Sequence, residues 1–291
     1  MSQTSKLTFE LGLNLSTALR ATEAAYTRER RIFEADFDYR MLPKAWRIML
    51  LPGFRHLILG LIEMSGMGTP GMLFCRTRFI DDALGDWLDG GKQQVVCLGA
   101  GNDSRAYRIP GIANAQYFEV DLPIPQALKR EHMQKTLGEI PPHVPYTAVD
   151  FNTQDLAVEL VKSGFRLETP TFFIMEGVTQ YISEQAVEHV FGFAAQAPKN
   201  SQFAFTYIKL EIIEGTARSN IDQRIMGRVA RRGMPWIFGI DGKLLGQWLN
   251  LRGFKLIDQS GGADYRERYL DPVDRQLNIY EGERIALVEV S

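Results

Sequence analysis

Val95-Val96-Cys97-Leu98-Gly99-Ala100-Gly101-Asn102-Asp103-Ser104 reads as a short apolar strand that breaks into a glycine turn. Two glycines around a small residue let the backbone reverse sharply and let a ligand lie close against it. Asp103 or Ser104 is placed to cap the helix that follows. Asp121 closes the next apolar run, 20 residues after Gly101. An acidic side chain at that spacing accepts the two hydroxyls of a ribose. Strand, glycine turn, helix and acidic strand end together describe the nucleoside-binding half of a doubly wound sheet.

The same rhythm continues along the chain. Strands are expected at Gln94–Leu98, Gln116–Val120, Val144–Val149, Thr171–Met175, Gln202–Tyr207, Phe254–Gln259 and Ile285–Val290. Helical stretches at Pro125–Leu137, Thr153–Val161 and Glu184–Ala195 fall between the early ones. Alternation of this kind predicts an α/β fold, a doubly wound, Rossmann-like sheet of seven mostly parallel strands. The last two strands lack a long helix between them and read as an antiparallel pair. Ahead of the sheet, residues 10–64 have helical periodicity, and Ser65-Gly66-Met67-Gly68-Thr69-Pro70-Gly71 is a dense loop signal. The expected organisation is a helical cap over residues 1–70 and a main domain over 71–291. After the fifth strand, Lys209–Arg231 reads as one long polar helix and Gly242–Leu251 as a second. They form a helical insertion, 208–250, placed as a lid.

Composition narrows the partners. Lys+Arg 33 against Asp+Glu 35 gives a formal charge of -2, and there is no basic run of the sort a nucleic-acid partner demands. Cys75 and Cys97 are the only cysteines, too few for a disulfide framework or a zinc site. Met1–Glu10 lacks the pattern of a secretory signal. Ile48–Ile62 leans apolar, but Pro52, Gly53, Arg55, His56 and Gly60 interrupt it, so no membrane span is expected. The expected setting is a reduced cytoplasm, with a small-molecule acceptor as partner and a homodimer compatible with the sequence.

Two cofactor classes use this turn. A dinucleotide needs a third glycine where Ser104 stands, and its pyrophosphate would meet the Asp103 anion. S-adenosylmethionine carries a sulfonium cation and no phosphate, so the same turn favours it over a nicotinamide cofactor.

Several further motifs fall in order around the turn. They are Arg76-Thr77-Arg78-Phe79, then Arg105-Ala106-Tyr107-Arg108, Phe118-Glu119-Val120-Asp121-Leu122-Pro123, Val149-Asp150-Phe151, and Met175-Glu176-Gly177-Val178 with Tyr181. From Arg76 to Tyr181 the chain resembles the leucine carboxyl methyltransferase family of class I S-adenosylmethionine-dependent methyltransferases. Its closest look is to bacterial polyketide-type O-methyltransferases. The resemblance implies a cofactor set of Arg76, Gly99, Ala100, Gly101, Asp121, Leu122, Asp150, Phe151 and Glu176. In it Arg76 pairs with the methionine carboxylate, and the glycines let the methionyl part and ribose lie on the backbone. Asp121 holds the ribose hydroxyls. Asp150 accepts from the adenine amino group, with Phe151 flanking the base. Glu176 binds the methionine ammonium or lines the transfer site. From position alone, Asp150 is equally a helix cap, and Arg105 and Arg108 are most simply helix-surface charges.

A carboxylate acceptor is already ionised near neutral pH and needs no general base, whereas a phenol or alcohol needs one. Of the four histidines, His56, His132, His143 and His189, only His56 in the cap is placed to face a pocket. Tyr181 and Tyr207 lie near strand ends and suit pocket lining. No catalytic residue is assigned, and no carboxylate pair has the context of a metal site. Phe33, Phe37, Trp46, Met226, Trp236 and Phe238 enrich the cap and the insertion in apolar surface. That composition suits a hydrophobic natural-product acceptor methylated on oxygen. Protein C-terminal carboxyl methylation, a nicotinamide-dependent oxidoreductase, and a non-catalytic cofactor-binding domain are the alternatives.

Overall fold

Seven strands form one sheet: β1 (Gln94–Leu98), β2 (Gln116–Asp121), β3 (Tyr146–Ala148), β4 (Phe172–Met175), β5 (Gln202–Ile208), β6 (Phe254–Ser260) and β7 (Glu283–Val290). In this computed structural model, which describes residues 12, 14–51, 53–64 and 66–291, they lie in the order β3-β2-β1-β4-β5-β7-β6. Strand pairs from β3 to β5 are parallel, and β7 runs antiparallel to both neighbours. The expected sheet, including its antiparallel closing pair, is therefore the observed one.

The central strands are apolar throughout because both faces are covered. Val96, Leu98, Phe118, Phe173 and Met175 point into one core, shared with α6 (Leu156–Lys162), α7 (Glu184–Ala194) and α10 (Leu245–Asn250). Their alternates, Val95, Cys97, Tyr117, Phe172 and Ile174, enter a second core with the long helix α3 (Thr69–Asp89). Ile32, Phe33 and Ala35, from the segment ahead of α3, fill this second core as well. Truncating a ring such as Phe173, fully buried, to Ala should cost about 3–5 kcal/mol.

Local signals set the boundaries. The expected loop at 65–71 is shorter, because α3 already begins at Thr69, with left-handed Gly68 before it and Pro70 in its first turn. A Cβ on Gly68 would lie 2.4 Å from the Ile279 carbonyl carbon. Asp155, not Asp150, caps α6, accepting from Ala157 and Val158 N–H. The expected Lys209–Arg231 helix is two. α8 (Leu210–Glu214) ends at Gly215, φ +81°, and α9 (Asn220–Arg231) restarts on a capping box of Ser219 and Asp222. Left-handed backbone cannot continue a helix, and periodicity alone does not register it. The helix placed at Gly242–Leu251 is α10, whose Leu245 and Leu249 belong to the sheet core. Among the described residues, no helix is long and apolar enough to cross a membrane.

Strand order reverses direction between β1 and β4. β1 continues to β2 on one side, while β4 leads to β5 on the other. The crevice outside the carboxyl ends of these two strands is where a doubly wound sheet receives ligands. The glycine turn leaves β1 there, and Glu176 follows β4 there.

Candidate cofactor site

Gly99, φ +70°, and Gly101, φ +45°, make the turn after β1. Gly99 and Ala100 N–H both donate to the Val120 carbonyl, at 2.8 and 2.9 Å, which pins the turn to the end of β2. Gly99 also has no room for a side chain, since a Cβ would lie 2.3 Å from Val178 Cγ2. The Gly101 N–H donates to Asp121 Oδ2 at 2.6 Å, and the Leu122 N–H to Oδ1 at 2.7 Å. Each Asp121 oxygen thus has one N–H and retains lone-pair capacity for a further donor. Burial raises the Asp121 pKa, with the two N–H groups working against the rise.

Arg76, on α3, reaches the end of β4. Its Nε donates to Glu176 Oε1 at 2.8 Å and its Nη1 to Glu283 Oε1 and Oε2 at 2.6 and 2.8 Å. Nη2 lies over Gly177, 3.1 Å from where a Cβ would stand. Burial works against the Arg76 charge, but Glu283 and Glu176 more than offset it and raise its pKa. Glu176 Oε2 accepts from Arg105 Nη1 at 2.7 Å. Burial would raise the Glu176 pKa, yet Arg105 and Arg76 hold it below the usual carboxylate value.

Arg105 and Arg108 are not the surface charges that their helical position suggested. Arg105 is 2% exposed, with Nε on Asp81 Oδ1 at 2.7 Å, Nη1 also paired with Asp103, and Nη2 on the Thr77 carbonyl at 3.3 Å. Arg108 forks onto both Asp81 oxygens at 2.6 and 2.9 Å. The helix they occupy, α4 (Arg105–Arg108), is a single turn tipped into the protein, so its side chains point inward. Asp103, one residue ahead of the N-cap Ser104, accepts the Arg105 N–H on Oδ1 at 2.7 Å. Burial opposes its ionisation, but Arg105 and Lys129 hold its pKa at about 2. Lys129, on α5 (Pro123–Leu137), donates to the Asp103 carbonyl at 2.7 Å and pairs with Glu119 Oε2 at 2.6 Å. Burial pushes Glu119 up to about 7 despite that lysine.

The segment ahead of α3 also grips the turn. Arg20 donates to the Asn102 carbonyl at 2.6 Å and to Asp38 Oδ1 at 2.7 Å, with Asp38 carried on α1 (Asp36–Met41). Ser104 Oγ donates to Asp38 Oδ2 at 2.9 Å. The guanidiniums of Arg20, Arg76, Arg105 and Arg108 therefore meet five carboxylates: Asp38, Asp81, Asp103, Glu176 and Glu283. One carboxylate is in excess, which suits a cationic ligand and opposes a pyrophosphate.

The remaining expected residues fall at different depths. Val149 N–H donates to the Asp121 carbonyl at 2.8 Å, so Asp150 follows directly beside the β2 end. Asp150 Oδ1 accepts from Asn152 N–H at 3.0 Å in a local turn. The Phe151 ring packs in the first core, Ala100 is buried, and Leu122 is exposed. Tyr181 is half-buried and Tyr207 wholly buried. His56 lies on α2 (Phe54–Met64), and its side chain is outside the described residues. No group of three metal-ligating side chains occurs among the described residues.

Sequence reasoning missed Glu283, Asp81, Asp38, Arg20 and Lys129 as parts of this assembly. Glu283 opens an apolar strand, an unusual place for a carboxylate, and that was its one available signal.

The model of the leucine carboxyl methyltransferase family matches residues 14–195. The chain belongs to that family. A Parafrankia sp. protein bearing the name of an S-adenosyl-L-methionine-dependent methyltransferase is 40% identical over 119 residues, 40% of this chain and 38% of that protein. YktD of Bacillus subtilis, named likewise, is 30% identical over 162 residues, 55% of this chain and 53% of its own length. The matched stretch thus spans about half or less of these relatives. A DUF574 family protein from Streptomyces avermitilis superposes with a TM-score of 0.58 over 93% of this chain and 100% of its own, at 14% identity. That likeness concerns the fold, and the family match concerns the motifs built into it.

Proposed function

We propose that this member of the family is an S-adenosylmethionine-dependent O-methyltransferase, acting on a hydroxyl or carboxylate of a hydrophobic small molecule of natural-product type. The observation that carries the reading is the Arg76–Glu176–Arg105 chain with its surplus carboxylate, set opposite Asp121 at the strand-order reversal.

The residues fit the group. When bound, S-adenosylmethionine supplies a methyl group activated by a sulfonium. Arg76 offers Nη2 to the methionine carboxylate, a charge-assisted contact that a guanidinium edge is shaped to make. Glu176 would take the ammonium, Asp121 would accept from the ribose hydroxyls, and Asp150 would accept from the adenine amino group. Gly99 and Gly101 keep the floor of the site free of side chains, and Ala100 and Leu122 complete it. What remains for the protein is to align acceptor and methyl group and to exclude water.

The described part of the segment ahead of α3 and the insertion from α8 to α9 would wall the acceptor. The lid meets the strand ends at Tyr181, beside Trp236, where the Ile237 N–H donates to the Gln180 carbonyl at 2.8 Å. The Tyr181–Trp236 pair supports a hydrophobic acceptor over the charged C-terminus of a protein, which the family name keeps as the second reading.

Calorimetric titration with S-adenosylhomocysteine, with NAD as the comparison, tests the cofactor. Binding of the first and not the second is expected, with sharp weakening in Asp121→Ala. Methyl transfer from labelled S-adenosylmethionine to small hydroxyl and carboxyl compounds, against C-terminal peptides, tests the acceptor. Turnover on peptides alone would overturn the small-molecule reading.

A further inference from the structure

Glu283 is the most buried member of the group around Arg76. Its side chain is 4% exposed, against 13% for Arg76 and 12% for Glu176. The sheet fixes the backbone beneath it. Glu283 pairs with Ile208 of β5, and the Lys209 N–H donates to the Gly282 carbonyl at 3.0 Å. A carboxylate on so rigid a support can hold a neighbour in one pose.

The neighbour is a long, flexible side chain. Ordering an arginine costs rotamer entropy, which must be offset by fixed partners for its N–H groups. Glu176 takes Arg76 Nε, and Glu283 takes Nη1 with both oxygens. Carboxylates on two different nitrogens fix the plane of the guanidinium as well as its place, which one alone would not do. In that plane Nη2 lies over Gly177. Holding α3 against β7 does not by itself call for this pair, because apolar side chains of similar volume serve as well as a buried ion pair.

We propose that Glu283 is a positioning residue for the amino-acid end of the cofactor, fixing the guanidinium plane of Arg76 so that Nη2 meets the methionine carboxylate. This rests on the reading in which Arg76 takes that carboxylate. 5′-Methylthioadenosine keeps the nucleoside and sulfur of S-adenosylhomocysteine but lacks the amino-acid end. Calorimetric titration of the whole chain with both compounds therefore reads the carboxylate contact by difference. Arg76→Met, the reference, should weaken S-adenosylhomocysteine at least about tenfold and leave methylthioadenosine within about twofold of the parent. Glu283→Gln should show the same selective loss, and in the Arg76→Met background it should add nothing, because it acts through Arg76. Glu283→Asp keeps the charge one methylene short, so its loss should be selective and smaller. It carries the test if thermal unfolding shows that the Gln variant does not fold. With a selective loss in Arg76→Met, three results in the Glu283 variants would overturn the role of Glu283 alone: a loss shared by both compounds, no loss, or tighter S-adenosylhomocysteine binding. An unselective Arg76→Met would instead sink the reading of Arg76 itself, and this inference with it.

Discussion

Arg105 Nη1 and Glu176 Oε2 meet at 2.7 Å across 71 residues of sequence, and through this contact the glycine turn and the end of β4 become one rigid unit. Arg105→Met would leave Asp81, Asp103 and Glu176 short of a buried partner. Breaking such a network costs about 3–5 kcal/mol. Arg105→Lys keeps the charge but loses the fork, so it should fall between. Thermal unfolding with S-adenosylhomocysteine titration checks both, and an unchanged melting temperature in Arg105→Met would count against the assignment.

Glu119 gives the stability curve a defined slope. Burial raises its pKa from 4.5 to about 7, so between those values the folded state holds a proton that the unfolded chain releases. Its contribution is complete below pH 4.5 and is lost as pH rises toward 7. Glu119→Gln should remove that decline. The Asp103 pKa, held at about 2, acts in the opposite sense and at lower pH, so the two effects separate. Denaturant unfolding of parent and variant across this range measures the difference.

Gly99→Ala should destabilise by about 1–3 kcal/mol, the order of cost for a non-glycine residue held in left-handed backbone. It also meets Val178 Cγ2 at 2.3 Å, and a β-branched side chain cannot swing away. Adding Val178→Ala should restore the steric part alone. Full recovery in the double variant would mean that backbone strain contributes nothing.

Tyr280 ties α9 to the start of α3 by donating to Asp222 Oδ1 at 2.7 Å, while its own N–H donates to the Gly68 carbonyl at 2.9 Å. Tyr280→Phe should cost about 1.5–3 kcal/mol, the order for a buried hydrogen bond to a carboxylate. Amide exchange should quicken in α9. Acceptor KM should move while S-adenosylhomocysteine affinity holds, and the opposite split would place this contact with the cofactor.

The sheet was legible because each strand is an apolar run between turn signals, and Gly99, Gly101 and Asp121 marked the turn at its strand-order reversal. Arg76 and Glu176 were found through ordered motifs. Their partners were not, because Glu283 lies 207 residues from Arg76 and no local pattern announces so distant a pairing. Arg105 was misread for a different reason. A basic residue at the start of a helix is ordinarily solvated, and only tertiary packing turned this turn inward. The lid break at Gly215 escaped because a polar helix and a polar helix-turn-helix share the same periodicity.

Glu283 opens β7, the strand that a ribosome makes after the other six. Until β7 emerges, β5 and β6 lack the neighbour that joins them, and Arg76 is missing the carboxylate that occupies its Nη1. Vectorial synthesis therefore completes this cluster in a fixed sequence, with the glycine turn early and the Arg76–Glu283 pair at the end. A nascent chain stalled before β7 would expose two open strand edges and could not hold Arg76 in place, leaving it a target for chaperones and proteases.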